Sequence, residues 1–384
     1  MRFAILLGIL LIATPLLLRA QTPDPWPDAQ SYAVVHELNA TPMRSVLAVI
    51  PVQLVLIIAA ALFLFLVSNI NKPESFVILL ATSPAFITEF TSVGPGVLGS
   101  ILIALGGVLL ARKKHWAILF IPLCFLLGIN IGILASMVFV VIAIMQELPF
   151  IALGVSFFAL VSSTTLALAT STQGVTFISP GEVWSDILIG GQGGVTLFVL
   201  ALGIMGFLIQ YKKSKDALTF LPLALIVLAP FFEYGNLVIA VVFAYAGSDA
   251  WEYLRTREWR FEELQSITLI LIVCSVLFTT IVTVKELSVA DDDRINLQRF
   301  VTPGLPSESF IAAESDIAGL LQSRGFATGE PNLPSDPSFI ANALREQGYT
   351  HIITRDTKPP YSHLPVAYTT GSATTYTIYA VPPQ

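Results

Sequence analysis

Charged side chains are scarce in this chain of 384 residues: 12% are Asp, Glu, Lys or Arg, against about 25% in an ordinary soluble domain. Hydrophobic residues make up 55%. A water-soluble protein must cover its core with a polar surface, so this composition excludes a fully soluble fold. The chain also lacks the basic stripe that nucleic-acid-binding proteins carry, and no nucleic-acid partner is expected.

Cysteine and histidine are equally sparse, which limits redox and metal chemistry. Cys124 and Cys274 both lie in apolar blocks, where they are predicted to be small core residues rather than a disulfide or a metal site. The four histidines lack the spacing of a zinc motif. The sequence contains no nucleophile elbow and no Walker A motif. Carboxylates and arginines therefore remain as the candidates for site chemistry.

Long apolar blocks separate the few charges. The blocks are 3–18, 43–68, 76–90, 94–111, 116–145, 148–171, 195–211, 217–233, 235–250 and 264–284. A helix needs about 20 residues to cross about 30 Å of hydrocarbon, so several blocks are short for a span. The pattern predicts an all-α polytopic membrane domain over 1–284, followed by a small α/β domain over 285–384.

Basic clusters predict the orientation of the spans. The clusters at 112–114, 212–215 and 255–260 lie in short loops, and such loops stay cytoplasmic. All three remain on one side only if block 116–145 is a hairpin that turns near 128–132. This gives about eleven spans, a cytoplasmic N-terminus and an extracytoplasmic tail. Residues 1–20 are predicted to be an uncleaved span; a signal peptide is the alternative.

The tail shows alternating helix and strand patterns. Residues 307–324 predict a helix that ends at Gly325, and a second helix is expected from Asp336-Pro337 to Gln347-Gly348. Strands are expected at 351–354, 366–369 and 376–381, where β-branched and aromatic residues are frequent.

Five acids fall at the predicted outer interface, in four separate segments. They are Asp28, Glu89, Glu182, Asp186 and Glu233. If folding brings several of them together, they could bind a divalent cation such as Mg²⁺ or Mn²⁺, or act as a general base. The alternative is that each is a solvated loop acid.

Four arginines are predicted on the same outer side. Arg19 and Arg44 flank the first outer loop, and Arg294 and Arg299 follow the last apolar block. The planar guanidinium suits a lipid phosphate, although these are also ordinary positions for an anchor beside a span. Arg19 and Arg44 are the candidates for phosphate binding.

The layout resembles the GT-C superfamily of membrane glycosyltransferases, which includes oligosaccharyltransferases and protein mannosyltransferases. Three segments carry the resemblance: Asp28-Ala29-Gln30-Ser31-Tyr32 after the first span, Leu80-Ala81-Thr82-Ser83-Pro84-Ala85-Phe86-Ile87 in a short span, and Pro180-Gly181-Glu182-Val183-Trp184-Ser185-Asp186 in a late outer loop. A closing outer α/β domain is the fourth feature.

The resemblance implies a polyprenyl-phosphate-linked sugar as donor and a glycan or protein as acceptor. It implies that Asp28 activates the acceptor or binds metal, with Glu89 and Glu182 as further metal ligands. The first outer loop has no Asp-x-Asp pair, since Asp24 and Asp28 are four apart, and the tail has no Trp-Trp-Asp sequence, so a simpler glycosyltransferase of this lineage is expected. A non-catalytic membrane subunit is the second hypothesis and a transporter the third.

Overall fold

The computed structural model describes most of the chain. The described residues are 2–22, 24–26, 31–32, 34–35, 51–70, 72–169, 196–232, 234–289, 292–306, 308–313, 315–329, 331, 333, 336, 339–355, 361, 364–369 and 376–382. They form two compact units. The first consists of Met1–Pro15, Gln53–Thr91 and Pro95–Leu287, and the second of Leu16–Val52, Ser92–Gly94 and Ser288–Gln384.

Helices make up the described part of the first unit, and the first, second and last of them extend into the second unit, at 16–20, Val52 and Ser288. In chain order they are α1 (Arg2–Ala20), α2 (Val52–Ser68), α3 (Glu74–Ala81), α4 (Pro84–Thr91), α5 (Pro95–Ala111), α6 (Phe120–Leu127), α7 (Ile129–Met145), α8 (Pro149–Ala169), α9 (Leu197–Ser214), α10 (Leu223–Leu228), α11 (Gly235–Thr256) and α12 (Glu262–Ser288). Short 3-10 turns precede α6 (His115–Leu119) and flank α10 (Ala217–Phe220 and Ala229–Phe231).

Among the described residues, three helices are long and apolar enough to cross a membrane: α1, α11 and α12, with 19, 22 and 27 residues. The apolar helices α2, α5 and α7 have 17 residues each, which rise only about 26 Å. The structure therefore does not support eleven spans. Cys124 is buried as predicted, whereas Cys274 is exposed on α12, so the core prediction is wrong for that cysteine.

The predicted turn in block 116–145 is present, because the chain breaks at Gly128 between α6 and α7 and these helices pack together. The structure does not show two crossings here, because α6 has eight residues and rises only about 12 Å. A Cβ added to Gly132 would lie 2.3 Å from the Phe125 ring. The close approach of the two arms thus requires glycine at this position.

Block 76–90 is one apolar run in sequence but two helices in the structure. Pro84 cannot continue α3, because it lacks a backbone N–H. Ser83 Oγ accepts a hydrogen bond from the Phe86 N–H and so caps α4. The Thr82 carbonyl accepts one from Thr280 Oγ1 at 2.9 Å. Hydroxyl groups thereby satisfy backbone atoms that the break exposes.

The described residues of the second unit from 288 onward form a five-stranded sheet and three helices. Its elements are α13 (Asp292–Gly304), β1 (Phe310–Ala313), α14 (Ser315–Ser323), β2 (Ala327–Gly329), α15 (Ile340–Glu346), β3 (His351–Arg355), β4 (Val366–Thr369) and β5 (Tyr376–Ala380). The strand order is β2-β1-β3-β5-β4, with β1 parallel to β2 and β3 and with β5 antiparallel to its neighbours.

The predicted α/β character and the three predicted strands are confirmed. The helix predicted over 307–324 is wrong in its first half, which forms β1. Phe310 and Ile311 begin an apolar run of four residues, and such a run fits a buried strand as well as a helix. Gly325 and Gly348 end α14 and α15 with φ of +89° and +84°, as expected for glycine C-caps.

Candidate functional site

A groove of about 230 Å³ runs between α5, α7 and α11 in the first unit. Residues at helical spacing line it on each helix. On α11 they continue from Tyr234 to Tyr245, a rise of about 16 Å. Among the described residues that line the groove, the side chains with oxygen or nitrogen are Ser100, Gln146, Tyr234 and Tyr245. Its middle is therefore apolar.

Small residues on α5 leave room for the groove. One face of this helix carries Gly96, Ser100, Ala104, Gly107 and Ala111, and all five line the groove. A helix that presented leucine at these positions would fill the space. The sequence thus builds this groove by placing small residues three or four apart on one face of α5.

One end of the groove lies next to a carboxylate. A Cβ added to Gly96 would lie 2.3 Å from Glu89 Oε1 and 2.3 Å from Tyr234 Cδ1. The two side chains therefore approach the same glycine at the start of α5. Glu89 is half-buried, and Tyr234 has φ of +69° just before α11. We call this the Glu89 end.

The other end carries an ion pair. Lys72 Nζ lies 2.7 Å from Asp249 Oδ2 and 3.9 Å from the centre of the Tyr245 ring. Gln210 Nε2 donates to the same Asp249 oxygen at 2.5 Å. Arg112, which follows α5, donates to Asn69 Oδ1 at 3.1 Å. We call this the basic end.

These contacts bear on the predicted common side of the basic clusters. Asn69 and Arg112 join the ends of α2 and α5, while Gln210 and Asp249 join the last turns of α9 and α11. The segments that carry Lys72, Arg112 and the 212–215 cluster thus end within reach of one another. Neither the side of the membrane nor the orientation follows from this geometry.

A second polar cluster lies in the second unit around Asp24, whose side chain is fully buried. Asp24 Oδ2 lies 3.4 Å from Arg19 Nη1 and 3.3 Å from Arg294 Nη2. The Tyr32 hydroxyl donates to Asp24 Oδ1 at 2.6 Å. We call these four residues the Asp24 cluster. Because it has two guanidinium groups and one carboxylate, the cluster has a net charge of +1.

Arg19 is held further by backbone carbonyls. Its Nη1 donates to Trp26 O at 2.8 Å, and its Nη2 donates to Val289 O at 2.6 Å. Burial, followed by the negative charge of Asp24, raises the pKa of Tyr32 above its ordinary value. The phenol therefore stays protonated and keeps donating to the carboxylate across the physiological range.

The structure describes two of the predicted site residues, Glu89 and Arg19. Glu89 lies at one end of the groove. Arg19 is buried and directs its guanidinium at protein acceptors, which leaves it poorly placed for a lipid phosphate. The remaining predicted site residues lie outside the described residues: Asp28, Arg44, Glu182, Asp186 and Glu233. Among the residues that are described, no three His, Cys, Asp or Glu side chains form a group that could hold a metal ion.

Sequence reasoning passed over Asp24 in favour of Asp28, although both lie in the first loop. The sequence around the two acids, Asp24-Pro25-Trp26-Pro27-Asp28, gives no reason to prefer Asp24, because its second arginine, Arg294, is 270 positions away. A buried tryptophan two residues after Asp24 was the one local signal, since Trp26 is only 5% exposed.

The chain matches no protein-family model and no curated protein sequence.

Proposed function

We propose that this protein is a multispan membrane glycosyltransferase. It takes a sugar from a polyprenyl-phosphate-linked donor and transfers it to a glycan or protein acceptor on the outer side of the cell membrane. The observation that carries this proposal is the apolar groove with a carboxylate at one end. The isoprenoid chain lies in the groove, and the sugar phosphate lies at the Glu89 end.

The lining of the groove suits a hydrocarbon chain. Its middle presents aliphatic side chains of α5, α7 and α11, which can contact isoprene units without leaving a polar group unpaired. Its polar side chains lie towards the two ends. The three long apolar helices support insertion in a membrane. The N-terminus is placed in the cytoplasm and the sheet domain outside, following the basic loops.

The chemistry requires a base and a leaving phosphate. A carboxylate takes the proton of the acceptor hydroxyl, the oxygen attacks the anomeric carbon, and the bond from that carbon to the phosphate oxygen breaks. Asp28 is assigned this role by the resemblance, and Glu89 is the described carboxylate at the groove. Asp28, Glu89 and Glu182 would hold a divalent cation, which would supply positive charge for the leaving phosphate.

The test is transfer of radiolabelled sugar from polyprenyl-phosphate donors in membranes that contain the protein. Glu89→Gln and Asp28→Asn are each expected to lower transfer by about 10²-fold or more, as for loss of a general base. The matched control is Glu147→Gln, since Glu147 is an exposed acid near the basic end of the same unit. Expression of all variants is compared by quantitative blotting.

The outcomes separate the hypotheses. Transfer that survives both substitutions removes these carboxylates from the mechanism but keeps the enzyme. No transfer by the wild type across a broad donor panel favours the non-catalytic subunit, whose outer domain would bind a partner. A transporter would need a polar site near the midplane, and the groove is apolar there.

A further inference from the structure

The two ends of the groove differ in charge. Ile70, Ala111 and Met145 line the basic end. Asn69 and Arg112, which are hydrogen-bonded to each other, are the immediate sequence neighbours of two of these residues. An amphiphile whose chain lies between α2, α5 and α7 at this end would therefore have its headgroup beside Arg112.

Positive charge exceeds negative charge around this rim. Arg112, Lys113 and Lys114 are exposed, and Lys72 is paired with Asp249. Glu147, which follows α7 by two residues, is the acid that opposes them. Counting Lys72 with its partner as neutral, three cations face one acid. At the opposite end the described ionisable group is Glu89. An anionic headgroup is therefore attracted to the basic end.

We propose that the basic end of the groove binds an anionic phospholipid. Its phosphate lies among Arg112, Lys113 and Lys114, and one acyl chain enters the groove beside Ile70 and Ala111. Basic residues at the ends of membrane helices bind anionic headgroups in this way. The phospholipid and the sugar donor occupy opposite ends of the groove. The proposal rests on membrane insertion, not on sugar transfer.

The headgroup is tested in nanodiscs of equal parts phosphatidylglycerol and phosphatidylcholine, with the full-length protein released and its retained lipids counted by native mass spectrometry. The wild type is expected to retain phosphatidylglycerol preferentially. The triple variant Arg112→Gln, Lys113→Gln, Lys114→Gln is expected to lower that preference about ten-fold. The control, Lys212→Gln with Lys213→Gln and Lys215→Gln, removes the same charge from exposed residues at the end of α9, a helix whose described residues do not line the groove. Arg112, Lys113 and Lys114 instead follow Ala111, which does line it, so the control is expected to keep the preference.

The chain is tested separately. Ala104→Leu adds volume inside the groove, and Leu98→Phe adds volume to an exposed position of the same helix. Loss of retained phosphatidylglycerol in Ala104→Leu, but not in Leu98→Phe, is expected. Two results overturn the proposal: an equal fall in both triple variants, or full retention in Ala104→Leu. The first result would mean that general surface charge retains the lipid. The second would mean that the headgroup binds while the acyl chain lies outside the groove. Neither result bears on sugar transfer.

Discussion

Two aspartates, one in each unit, are held by partners distant in sequence, yet their surroundings differ. Asp24 is fully buried and contacts two arginines and a tyrosine. Asp249 keeps 23% of its side-chain surface exposed and contacts a lysine and a glutamine. The two arginines give the Asp24 cluster a net positive charge, whereas the single lysine neutralises the charge of Asp249.

The two carboxylates differ in how much the stability of their units depends on them. A buried charge costs several kcal/mol to desolvate, so the Asp24 cluster persists only because every member has a partner, and removing one member exposes that cost. Water can still reach Asp249, so hydrogen bonds to water compensate for part of the interaction that is lost when a partner is removed. We therefore expect the second unit to depend on its aspartate far more than the first unit depends on Asp249.

Asp24→Asn is expected to have the largest effect. It leaves two buried guanidinium groups without a counter-charge, which should lower the local stability of the second unit by about 3–5 kcal/mol. Hydrogen exchange of peptides from α13 and β1, followed by mass spectrometry, measures this change. Glu346→Gln removes an exposed acid from the same unit and should leave exchange unchanged. Equal exchange in the two variants would remove the distinction between Asp24 and a surface acid.

Tyr32→Phe tests the neutral partner in the same cluster. It deletes the hydroxyl that donates to Asp24 Oδ1 and keeps the ring, so a loss of about 1.5–3 kcal/mol is expected, as for a hydrogen bond to a charged group. The same exchange measurement applies. Tyr368→Phe is the control, because Tyr368 stacks on Phe300 through its ring. A smaller loss in Tyr32→Phe than in the control would contradict the role of the hydroxyl.

Asp249→Asn is expected to cost about 1 kcal/mol, since the pair with Lys72 is partly exposed. Exchange of peptides from the last two turns of α11 reports the change. Raising salt from about 0.1 M to 1 M should shrink the difference from the wild type, because the Debye length falls from about 10 Å to about 3 Å. Glu252→Gln removes a largely exposed ion pair with Arg255 and should cause a smaller loss of stability. A loss as large as that of Asp24→Asn would break the comparison.

The smallest effect expected is the pH response of the second unit at His351. Burial lowers the pKa of His351, so the unfolded chain binds more protons than the folded one below about pH 6.5. The stability that the neutral ring contributes is therefore present above pH 6.5 and is lost as pH falls through the folded pKa. His351→Gln should flatten this slope in exchange of β3, corrected for the intrinsic rate at each pH. An unchanged slope would mean that other groups cause the pH dependence of stability.

Local features of the fold were predictable where one residue type controls the backbone. The turn at Gly128 followed from the basic clusters, and the glycine caps at Gly325 and Gly348 followed from position alone. Pro84 is visible in the sequence as a proline inside an apolar run. The block 76–90 is nevertheless predicted as a single span, whereas the structure breaks it into α3 and α4. Nothing local distinguished the strand at Phe310 from the first turn of a helix.

The candidate site was predictable only in part. Glu89 was selected as an acid at the end of an apolar block, and it does lie at the groove. The groove itself depends on which faces of α5, α7 and α11 meet, and a single sequence does not specify that. The partnership of Asp24 with Arg294 depends on contacts across 270 residues, beyond the reach of any periodic pattern.

The separation between Arg19 and Val289, 270 positions, also has a consequence in time. A ribosome that adds about 5–20 residues per second needs roughly 15–50 s to make the intervening chain. During that interval the first loop already exists, but Asp24 still lacks one of its arginines and Arg19 one of its carbonyl partners. A nascent protein would therefore hold this loop incomplete until synthesis passes Arg294. A chaperone or a protease that recognises unfinished loops has that interval in which to act.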